Sequence, residues 1–243
     1  MSLQGQNVLV VGGAKNLGAL ISRTLAKEGA QLAIHYNSSK TKPQADEIGA
    51  ELNAKVYQGD LTTAKAVHKL FQDVIKDLKK IDIVINTVGM VIKKPMTEIT
   101  EDEYDQMFAV NSKSAFFITQ EAAKVVQDGG KIINIITALL AVYTPYYTIY
   151  QGSKAPVEWF TKGLSKELMS RRVSVNAVAP GPMDTPFFYP QENDGSVAFF
   201  KTQAMGERLT KIEDIAPIVK FLCTDGAWIS GQVIFANGGM ASR

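Results

Sequence analysis

Two side chains four residues apart, Tyr150 and Lys154, have the chemistry of an acid–base pair. They fall at the start of a predicted helix, where residues four apart share a face, so the phenol and the ammonium group point the same way. An unperturbed tyrosine has a pKa of about 10, and a nearby cation favours the phenolate, so we expect Lys154 to lower the pKa of Tyr150. Such a tyrosine can donate a proton to a carbonyl oxygen as a hydride reaches the carbon. The spacing also arises by chance on many helices, so its meaning depends on context.

Thr137 supplies part of that context. It follows a predicted strand, residues 131–136, and lies thirteen positions before Tyr150. The carboxyl ends of parallel strands border the ligand crevice in such folds. A hydroxyl group there can hydrogen-bond a substrate oxygen and stabilise the charge that develops on it. The alternative is an ordinary strand-end residue with a satisfied hydroxyl.

A glycine-rich turn between the first predicted strand and helix could bind a phosphate. It contains Gly12, Lys15, Asn16, Leu17 and Gly18. Glycines at such a turn let the backbone approach a pyrophosphate, and the helix N-terminus offers free N–H groups. The spacing is wider than in GxGxxG, and an ordinary strand-to-helix turn is the alternative.

The end of the second predicted strand favours NADP over NAD. Folds that bind NAD often carry a carboxylate there, which holds the ribose 2′-hydroxyl. Here the sequence instead has hydroxyl groups, an amide and a cation, which suit a 2′-phosphate, in the run Tyr36, Asn37, Ser38, Ser39 and Lys40. Lys15 would add a second cation on the same side. The alternative is that both lysines are solvated surface residues.

Strand-like and helix-like stretches alternate along the chain. Apolar runs typical of buried strands are residues 6–11, 32–35, 55–58, 81–85, 131–136, 173–178 and 232–235. Helical spacing occurs in residues 17–28, 64–78, 102–127, 150–170 and 213–221. This alternation predicts a doubly wound α/β Rossmann fold, a parallel sheet with helices on both faces, as one domain over residues 1–243. The long irregular segment at 180–210 is predicted to be a substrate lid.

Composition excludes several classes of protein. The 26 basic and 24 acidic residues give a net charge of +2 without long basic runs, so no nucleic-acid partner is indicated. No apolar run is long enough for a membrane span, and the first residues lack the features of a signal peptide. The single cysteine, Cys223, excludes an internal disulfide and fits a reducing compartment. We expect a cytoplasmic protein with no metal site.

With these parts placed, the sequence resembles the single-domain short-chain dehydrogenase/reductase family, including its 3-oxoacyl-carrier-protein reductase-like and pteridine reductase-like members. Residues 10–18 are similar to the family's TGxxxGxG loop, with Val11 at the usual Thr and Asn16 at the usual middle Gly. Thr137 stands where the catalytic Ser is usual. The other matching segments are Gly59-Asp60-Leu61, Asn86-Thr87-Val88-Gly89, Asn111 within Val-Asn-Ser, Tyr150 with Lys154, Pro180-Gly181-Pro182-Met183-Asp184-Thr185, and Asn237-Gly-Gly.

The resemblance implies seven parallel strands and the reversible reduction of a ketone or aldehyde by NADPH. Tyr150 would donate the proton and Thr137 would hold the oxygen. Lys154 would bind the nicotinamide ribose, and Asn111 would maintain a proton path from Lys154 to solvent. Asp60 and Leu61 would lie beside the adenine. The remaining implied cofactor contacts are Asn86, Val88, Gly89, Pro180, Gly181, Met183 and Thr185.

The substrate and the assembly are less defined. The implied pocket residues, Met90, Leu139, Tyr143, Tyr147, Phe187 and Phe188, favour an apolar or aromatic small molecule. Lys93 and Lys94 either meet an anionic tail, as in a 3-oxoacyl thioester, or belong to a solvated loop. The helices at 102–127 and 150–170 are the family's dimer-forming pair, so a homotetramer is expected, with a homodimer as the alternative. A non-catalytic NADP-binding sensor and a cofactor-free scaffold are rival functions, and the intact Tyr150 argues against the sensor.

Overall fold

A parallel sheet forms the centre of the computed structural model, which describes residues 2–242. Its strands are β1 (Asn7–Val11), β2 (Gln31–Tyr36), β3 (Lys55–Gln58), β4 (Ile81–Asn86), β5 (Val126–Ile135), β6 (Ser174–Pro180) and β7 (Val233–Ala236). They lie in the order β3-β2-β1-β4-β5-β6-β7, and all neighbours pair in parallel. The predicted seven-stranded parallel sheet is therefore confirmed.

The helices cover both faces of this sheet. They are α1 (Asn16–Lys27), α2 (Lys42–Leu52), α3 (Ala64–Leu78), α4 (Glu101–Phe108), α5 (Ser114–Val125), α6 (Thr148–Glu167), α7 (Asp194–Thr202) and α8 (Ile212–Cys223). One core cluster joins α1, α2 and α8 to the sheet, and a second joins α3 and α5 to it. Because both faces are covered, every residue of β1 and β4 is buried, as their unbroken apolar sequences predict. Within residues 2–242, no helix combines the length and hydropathy needed to cross a bilayer.

Helix α2 is missing from the sequence-based prediction. Only Ala45, Ile48 and Gly49 of this helix are buried, so its apolar stripe is too narrow to give a clear helical pattern. Proline in its first turn and an ion pair between Lys42 and Asp46, at 2.6 Å, suit a helix that lies mostly in solvent.

The predicted helix at 102–127 needs correction at its centre and at its end. Residues Ala109–Lys113 form a π-helical turn between α4 and α5, and the helix ends at Val125. Val126 already pairs with Ile81 as the first residue of β5, so the strand, predicted at 131–136, begins five residues earlier. Residues 127–130 at the start of this strand are polar or glycine, so the sequence shows no apolar strand pattern there.

The predicted irregular segment at 180–210 contains ordered structure. A short 3₁₀ turn (Tyr189–Gln191) precedes α7, whose N-terminus is capped by Asn193. The Asn193 side chain accepts a hydrogen bond from Ser196 N at 2.9 Å, and Ser196 Oγ accepts one from Asn193 N at 3.0 Å. This reciprocal cap stabilises a helix of nine residues in a segment rich in Pro and Gly.

The strand order determines where a ligand can bind. From β1 the chain builds one half of the sheet through β2 and β3, and then returns to place β4 on the other side of β1. Ligands of open parallel sheets bind beyond the carboxyl ends of the strands, at such a switch point. The glycine loop follows β1 there, and the segment that begins with Thr87 follows β4.

Candidate active site

The glycine loop after β1 is shaped by close backbone contacts. Gly12 has φ +79°, and a Cβ there would lie 2.6 Å from Thr87 Oγ1. A Cβ on Gly18 would lie 2.2 Å from the carbonyl oxygen of Gly12, so only glycine lets α1 start this close to the loop. Asn16 adopts φ +48°, a left-handed conformation that asparagine tolerates better than most residues. The departure from glycine at this position therefore leaves the turn intact.

The N-terminus of α1 suits an anion. No acidic residue lies in its first turn, and no side chain caps it at Lys15. Its first N–H groups therefore remain available to a phosphate, which the helix dipole also favours. Together with the glycines, this end of the helix fits the diphosphate of a dinucleotide.

A cavity of about 420 Å³ runs from this loop over the carboxyl ends of the strands. Most of the predicted cofactor residues line it, namely Gly12, Lys15, Asn16, Leu17, Gly18, Tyr36, Asn37, Ser38, Asp60, Leu61, Val88, Gly89, Tyr150, Lys154, Met183 and Thr185. Ser39 and Lys40 are exposed in a short 3₁₀ turn and do not line it. Asn86 is buried below it, where its Oδ1 accepts a hydrogen bond from Val88 N at 3.1 Å. Pro180 and Gly181 line a neighbouring pocket.

His35, at the end of β2, supports the glycine loop from below. Its Nε2 lies 2.8 Å from the carbonyl oxygen of Gly59, and its Nδ1 lies 3.4 Å from Gly12 N. The neutral ring can donate through Nε2 and accept through Nδ1, which satisfies both contacts. Burial lowers the pKa of His35 to about 4, so the ring is neutral near pH 7.

Tyr150 lines both the cofactor cavity and the neighbouring pocket, and Thr137 lines the neighbouring pocket. Both residues are buried, and Thr137 Oγ1 accepts a hydrogen bond from Leu139 N at 3.2 Å, which leaves its own O–H free to donate. Burial raises the pKa of Tyr150 to about 12, and the interaction with the Thr137 hydroxyl group opposes this only in part. The expectation that Lys154 lowers this pKa does not hold here, because loss of solvation outweighs the other effects. Tyr150 is therefore protonated at neutral pH.

Lys154 lines the cofactor cavity, and its ammonium group is turned to the backbone. Its Nζ donates to the carbonyl oxygens of Val88, at 3.0 Å, and Ile135, at 3.2 Å. Burial lowers the pKa of Lys154 to about 8. A Cβ at Gly89 would lie 3.0 Å from this Nζ, so glycine at that position leaves room for the ammonium group. A lysine tuned in this way can exchange a proton near neutral pH.

Asn111, in the π-helical turn, joins the segment after β4 to α6. It is fully buried, its Oδ1 accepts from Met90 N and its Nδ2 donates to the Met90 carbonyl oxygen, both at 2.9 Å. The same Nδ2 lies 2.9 Å from Ser153 Oγ, which donates to the carbonyl oxygen of Tyr150. Asn111 therefore fixes the start of α6, and α6 is the helix that carries Tyr150 and Lys154.

An apolar pocket of about 80 Å³ adjoins the cofactor cavity and shares Tyr150, Ile136, Met183, Thr185 and Phe187 with it. Four of the six predicted substrate residues line it, namely Leu139, Tyr147, Phe187 and Phe188. Met90 lines the cofactor cavity instead. The Tyr143 side chain is fully exposed and lines neither cavity, because the segment between β5 and α6 turns it outward.

Lys93 and Lys94 both lie in ion pairs. Lys93 Nζ is 2.6 Å from Glu192 Oε2 in the segment at 180–210, and Lys94 Nζ is 3.1 Å from Glu103 Oε2 on α4. The Lys93 side chain is only 18% exposed and that of Lys94 31%. Neither lysine is thus the solvated loop residue that the sequence suggested.

Several residues of the site received no role from the sequence. Thr87 donates through Oγ1 to the Val11 carbonyl oxygen, at 2.9 Å, and lines the cofactor cavity. Gln191 lines the apolar pocket. His35 and Ser153 act through contacts with segments distant in sequence. Of these residues, only His35 lies in a segment that the sequence singles out, the end of β2. The sequence gives no indication of what His35 contacts.

Comparison with known proteins identifies close relatives. The model of a family described as Enoyl-(Acyl carrier protein) reductase matches residues 12–241. A short-chain type dehydrogenase/reductase of Picea abies is 35% identical over an alignment of 253 positions, gaps included, which covers 98% of this chain and 93% of that protein. The hydroxynaphthalene reductase-like protein Arp2 of Metarhizium brunneum is 34% identical over an alignment of 259 positions, covering 98% and 96%. A solved structure, described as a "Putative Dehydrogenase" from Burkholderia cenocepacia with bound NADP, has a TM-score of 0.97 and 53% identity, covering 100% of this chain and 96% of that one.

Proposed function

Because this chain belongs to the short-chain dehydrogenase/reductase family, we propose that it reduces the carbonyl group of a small apolar or aromatic ketone or aldehyde to an alcohol. The observation that carries the proposal is the position of Tyr150, which lines both cavities, together with that of Thr137, which lines the apolar pocket and interacts with Tyr150. A carbonyl oxygen at this point would meet two hydrogen-bond donors. In the reverse direction the same groups would oxidise an alcohol.

The chain is an NADP-dependent oxidoreductase, in keeping with the NADP bound to the similar structure from Burkholderia cenocepacia. Its own residues fit the cofactor, since the end of β2 carries no acid and Asn37 and Ser38 line the cavity beside Lys15. Hydroxyl, amide and ammonium groups are suitable donors for a 2′-phosphate. When bound, NADPH supplies the hydride that reduces the carbonyl carbon.

The residues of the site provide the proton and the charge stabilisation. Tyr150 is protonated at neutral pH, so its hydroxyl can donate to the carbonyl oxygen as the carbon accepts the hydride. The product is an alcohol, and Tyr150 is left as a phenolate. The Thr137 hydroxyl stabilises negative charge on the same oxygen. Lys154, with its pKa near 8, then returns a proton towards Tyr150, and Asn111 keeps both residues in place.

The apolar pocket supports a ring-shaped or aliphatic substrate body. Apart from Thr137, Tyr147, Tyr150, Thr185 and Gln191, its lining side chains are hydrocarbon, thioether or glycine, so it offers few partners for a strongly polar molecule. The name of the related Metarhizium protein, a hydroxynaphthalene reductase-like protein, agrees with an aromatic substrate. A 3-oxoacyl thioester is less well supported, because Lys93 and Lys94 are already paired with Glu192 and Glu103.

The test is reduction of a panel of ketones, aldehydes, a quinone and an acetoacetyl thioester, followed through loss of nicotinamide absorbance with NADPH and with NADH. We expect NADPH to be preferred and Tyr150→Phe to lower kcat by at least about a hundredfold, since it removes the proton donor. NADPH binding by Tyr150→Phe, measured by fluorescence titration, should change little. Binding of NADPH by the wild type without turnover of any substrate would instead favour the sensor. Equal turnover by wild type and Tyr150→Phe would refute the role of Tyr150.

We propose a homotetramer as the assembly, with a homodimer as the alternative. The support is aromatic surface on the helices expected to pair between subunits. Phe116 on α5 is 41% exposed and Trp159 on α6 is 66% exposed, and Phe116 stacks edge-on with Phe160 at 5.1 Å. Light scattering coupled to gel filtration would measure the mass, and a monomer would contradict both assemblies.

A further inference from the structure

The lid contains a carboxylate with no exposed surface, that of Glu192. This residue lies between the 3₁₀ turn that ends at Gln191 and the start of α7. Its Oε2 lies 2.6 Å from Lys93 Nζ, and its Oε1 accepts a hydrogen bond from the Tyr147 hydroxyl group. Both carboxylate oxygens are therefore paired inside the protein.

These contacts join three segments that are far apart in sequence. Lys93 belongs to the segment after β4, Tyr147 immediately precedes α6, and Glu192 belongs to the lid. Lys93 also donates through its backbone N–H to Gln191 Oε1 at 3.3 Å, and its Nζ lies 5.4 Å from the centre of the Tyr147 ring. The lid is thus held to the rim of the apolar pocket by side chains.

The opposite side of the lid is held by backbone. Gly181 N donates to the carbonyl oxygen of Ala236, at 3.1 Å, and Met205 N donates to that of Gly238, at 2.8 Å. The lid is therefore attached near one end to the last residue of β7 and near the other end to the segment that follows β7. Between these attachments, Glu192 contacts Lys93 and Tyr147 at the rim of the pocket. Release of Lys93 Nζ and Tyr147 from Glu192 would remove both partners of its carboxylate and loosen the middle of the lid, while the backbone contacts at its ends remain.

A buried ion pair is a poor source of stability, because desolvation of the two charges offsets their attraction. It does fix geometry, since the buried carboxylate must keep all its partners or return to water. Glu192 cannot be rehydrated while the lid is closed, because its side chain has no solvent contact. Loss of a partner should therefore move the lid away from the pocket.

We propose that Glu192, Lys93 and Tyr147 form a latch that determines the size of substrate the enzyme accepts. The latch holds the lid where the apolar pocket measures about 80 Å³, with Gln191 and Tyr147 in its wall. Lys93 and Glu192 act as positioning residues, through the lid, and take no part in proton or hydride transfer. This inference rests on the proposed carbonyl reduction for its substrate, but the latch itself can be tested without turnover.

The first experiment compares two neighbouring lysines given the same substitution. Lys93→Met breaks the contact with Glu192, whereas Lys94→Met breaks the contact with Glu103 on α4 and leaves the lid untouched. The readout is cleavage of the NADPH-bound protein by chymotrypsin, since Phe187, Tyr189 and Phe199 of the lid are partly exposed. Cleavage within the lid should be at least about tenfold faster in Lys93→Met and in Glu192→Gln, because each leaves a buried polar group unpaired. Lys94→Met should be cleaved at the wild-type rate.

The second experiment measures specificity with cyclohexanone and the larger 1-tetralone. The kcat/KM ratio of the larger to the smaller ketone should rise at least about tenfold in Lys93→Met and Glu192→Gln, through KM more than kcat. The variant that combines Lys93→Met with Glu192→Gln should resemble either single variant, because the two substitutions break the same contact.

Cleavage of Lys93→Met and Glu192→Gln at the wild-type rate would overturn the latch proposal. Cleavage of Lys94→Met as fast as that of Lys93→Met would also overturn it. Faster cleavage with an unchanged substrate ratio would overturn its role in specificity. If the wild type reduces neither these ketones nor the panel above, the proposed function fails, and the cleavage rates alone decide whether the latch exists.

Discussion

Acidification from about pH 8 to about pH 5 should cost the protein about 2 kcal/mol of unfolding free energy through His35 alone. Burial lowers the pKa of this residue from 6.5 to about 4. Between these values the unfolded chain binds a proton that the folded chain does not, so stability falls as the pH falls. The contribution is fully present above about pH 6.5 and is lost progressively towards pH 4. At pH 5 the solution is about 1.5 pH units below the pKa of 6.5 that this histidine has in the unfolded chain. Each unit is worth about 1.4 kcal/mol, so the loss is about 2 kcal/mol.

The assay is urea unfolding of the cofactor-free protein at about pH 8, 7, 6 and 5, for wild type and for His35→Gln. The glutamine amide can replace the donor to the Gly59 carbonyl oxygen but does not titrate. The variant should be less stable than wild type at pH 8, because it loses the acceptor for Gly12 N. Between pH 8 and pH 5 its free energy of unfolding should fall by about 2 kcal/mol less than that of wild type.

A matched control is His68→Gln, which removes the protein's other histidine, an exposed one on α3. This variant should retain the His35-dependent loss. Parallel pH profiles for wild type and His35→Gln would refute the reasoning, because they would mean that the folded and unfolded states protonate His35 alike.

Three further tests concern the glycine loop, the cofactor and Thr137, each with its own variants. Gly18→Ala should destabilise the protein by about 1–3 kcal/mol and abolish tight NADPH binding, because the new Cβ would lie 2.2 Å from the Gly12 carbonyl oxygen. Gly163→Ala, in an open part of α6, should instead stabilise it by about 1 kcal/mol, and urea unfolding distinguishes the two. Lys15→Met should raise the Kd for NADPH about two- to fivefold without changing the Kd for NADH, because an exposed ammonium group contributes only modestly to the binding of a phosphate. An equal effect on both cofactors would argue against contact between Lys15 and the 2′-phosphate. Thr137→Val should lower kcat about a hundredfold because it removes the hydroxyl group, and Thr137→Ser should preserve kcat because it keeps that group. Full activity of the valine variant in steady-state assays would exclude the Thr137 hydroxyl group from the reaction.

The features that local sequence patterns specify were predictable. The parallel sheet follows from alternating apolar and amphipathic stretches, and α3 has the predicted bounds, 64–78, because Val67, Leu70, Phe71 and Val74 form a clear stripe. The shared face of Tyr150 and Lys154 follows from their spacing within one helix. Such features depend on neighbours within one or two turns.

The features that depend on tertiary contact were not predictable. The pKa of Tyr150 is raised by burial, which a cation four residues away does not reveal. The ion pair between Lys93 and Glu192 joins residues 99 positions apart, and no local pattern encodes it. Tyr143 was expected at the substrate pocket from its position between Thr137 and Tyr150, yet the chain turns its ring into solvent.

The π-helical turn at Ala109–Lys113 has a consequence for how this chain tolerates change in length. Such a turn holds one residue more than an α-helical turn, and it lets α4 and α5 meet out of phase with each other. Deletion of one residue here would restore regular winding and rotate one helix against the other by about 100°. The aromatic surface of α5 would then face a new direction, and Asn111 would no longer reach Met90 and Ser153 together. A chain shortened here would thus lose the contacts of Asn111 that hold α6 and would also displace the surface proposed for subunit pairing, whereas a single substitution in α4 would leave the phase of the two helices unchanged.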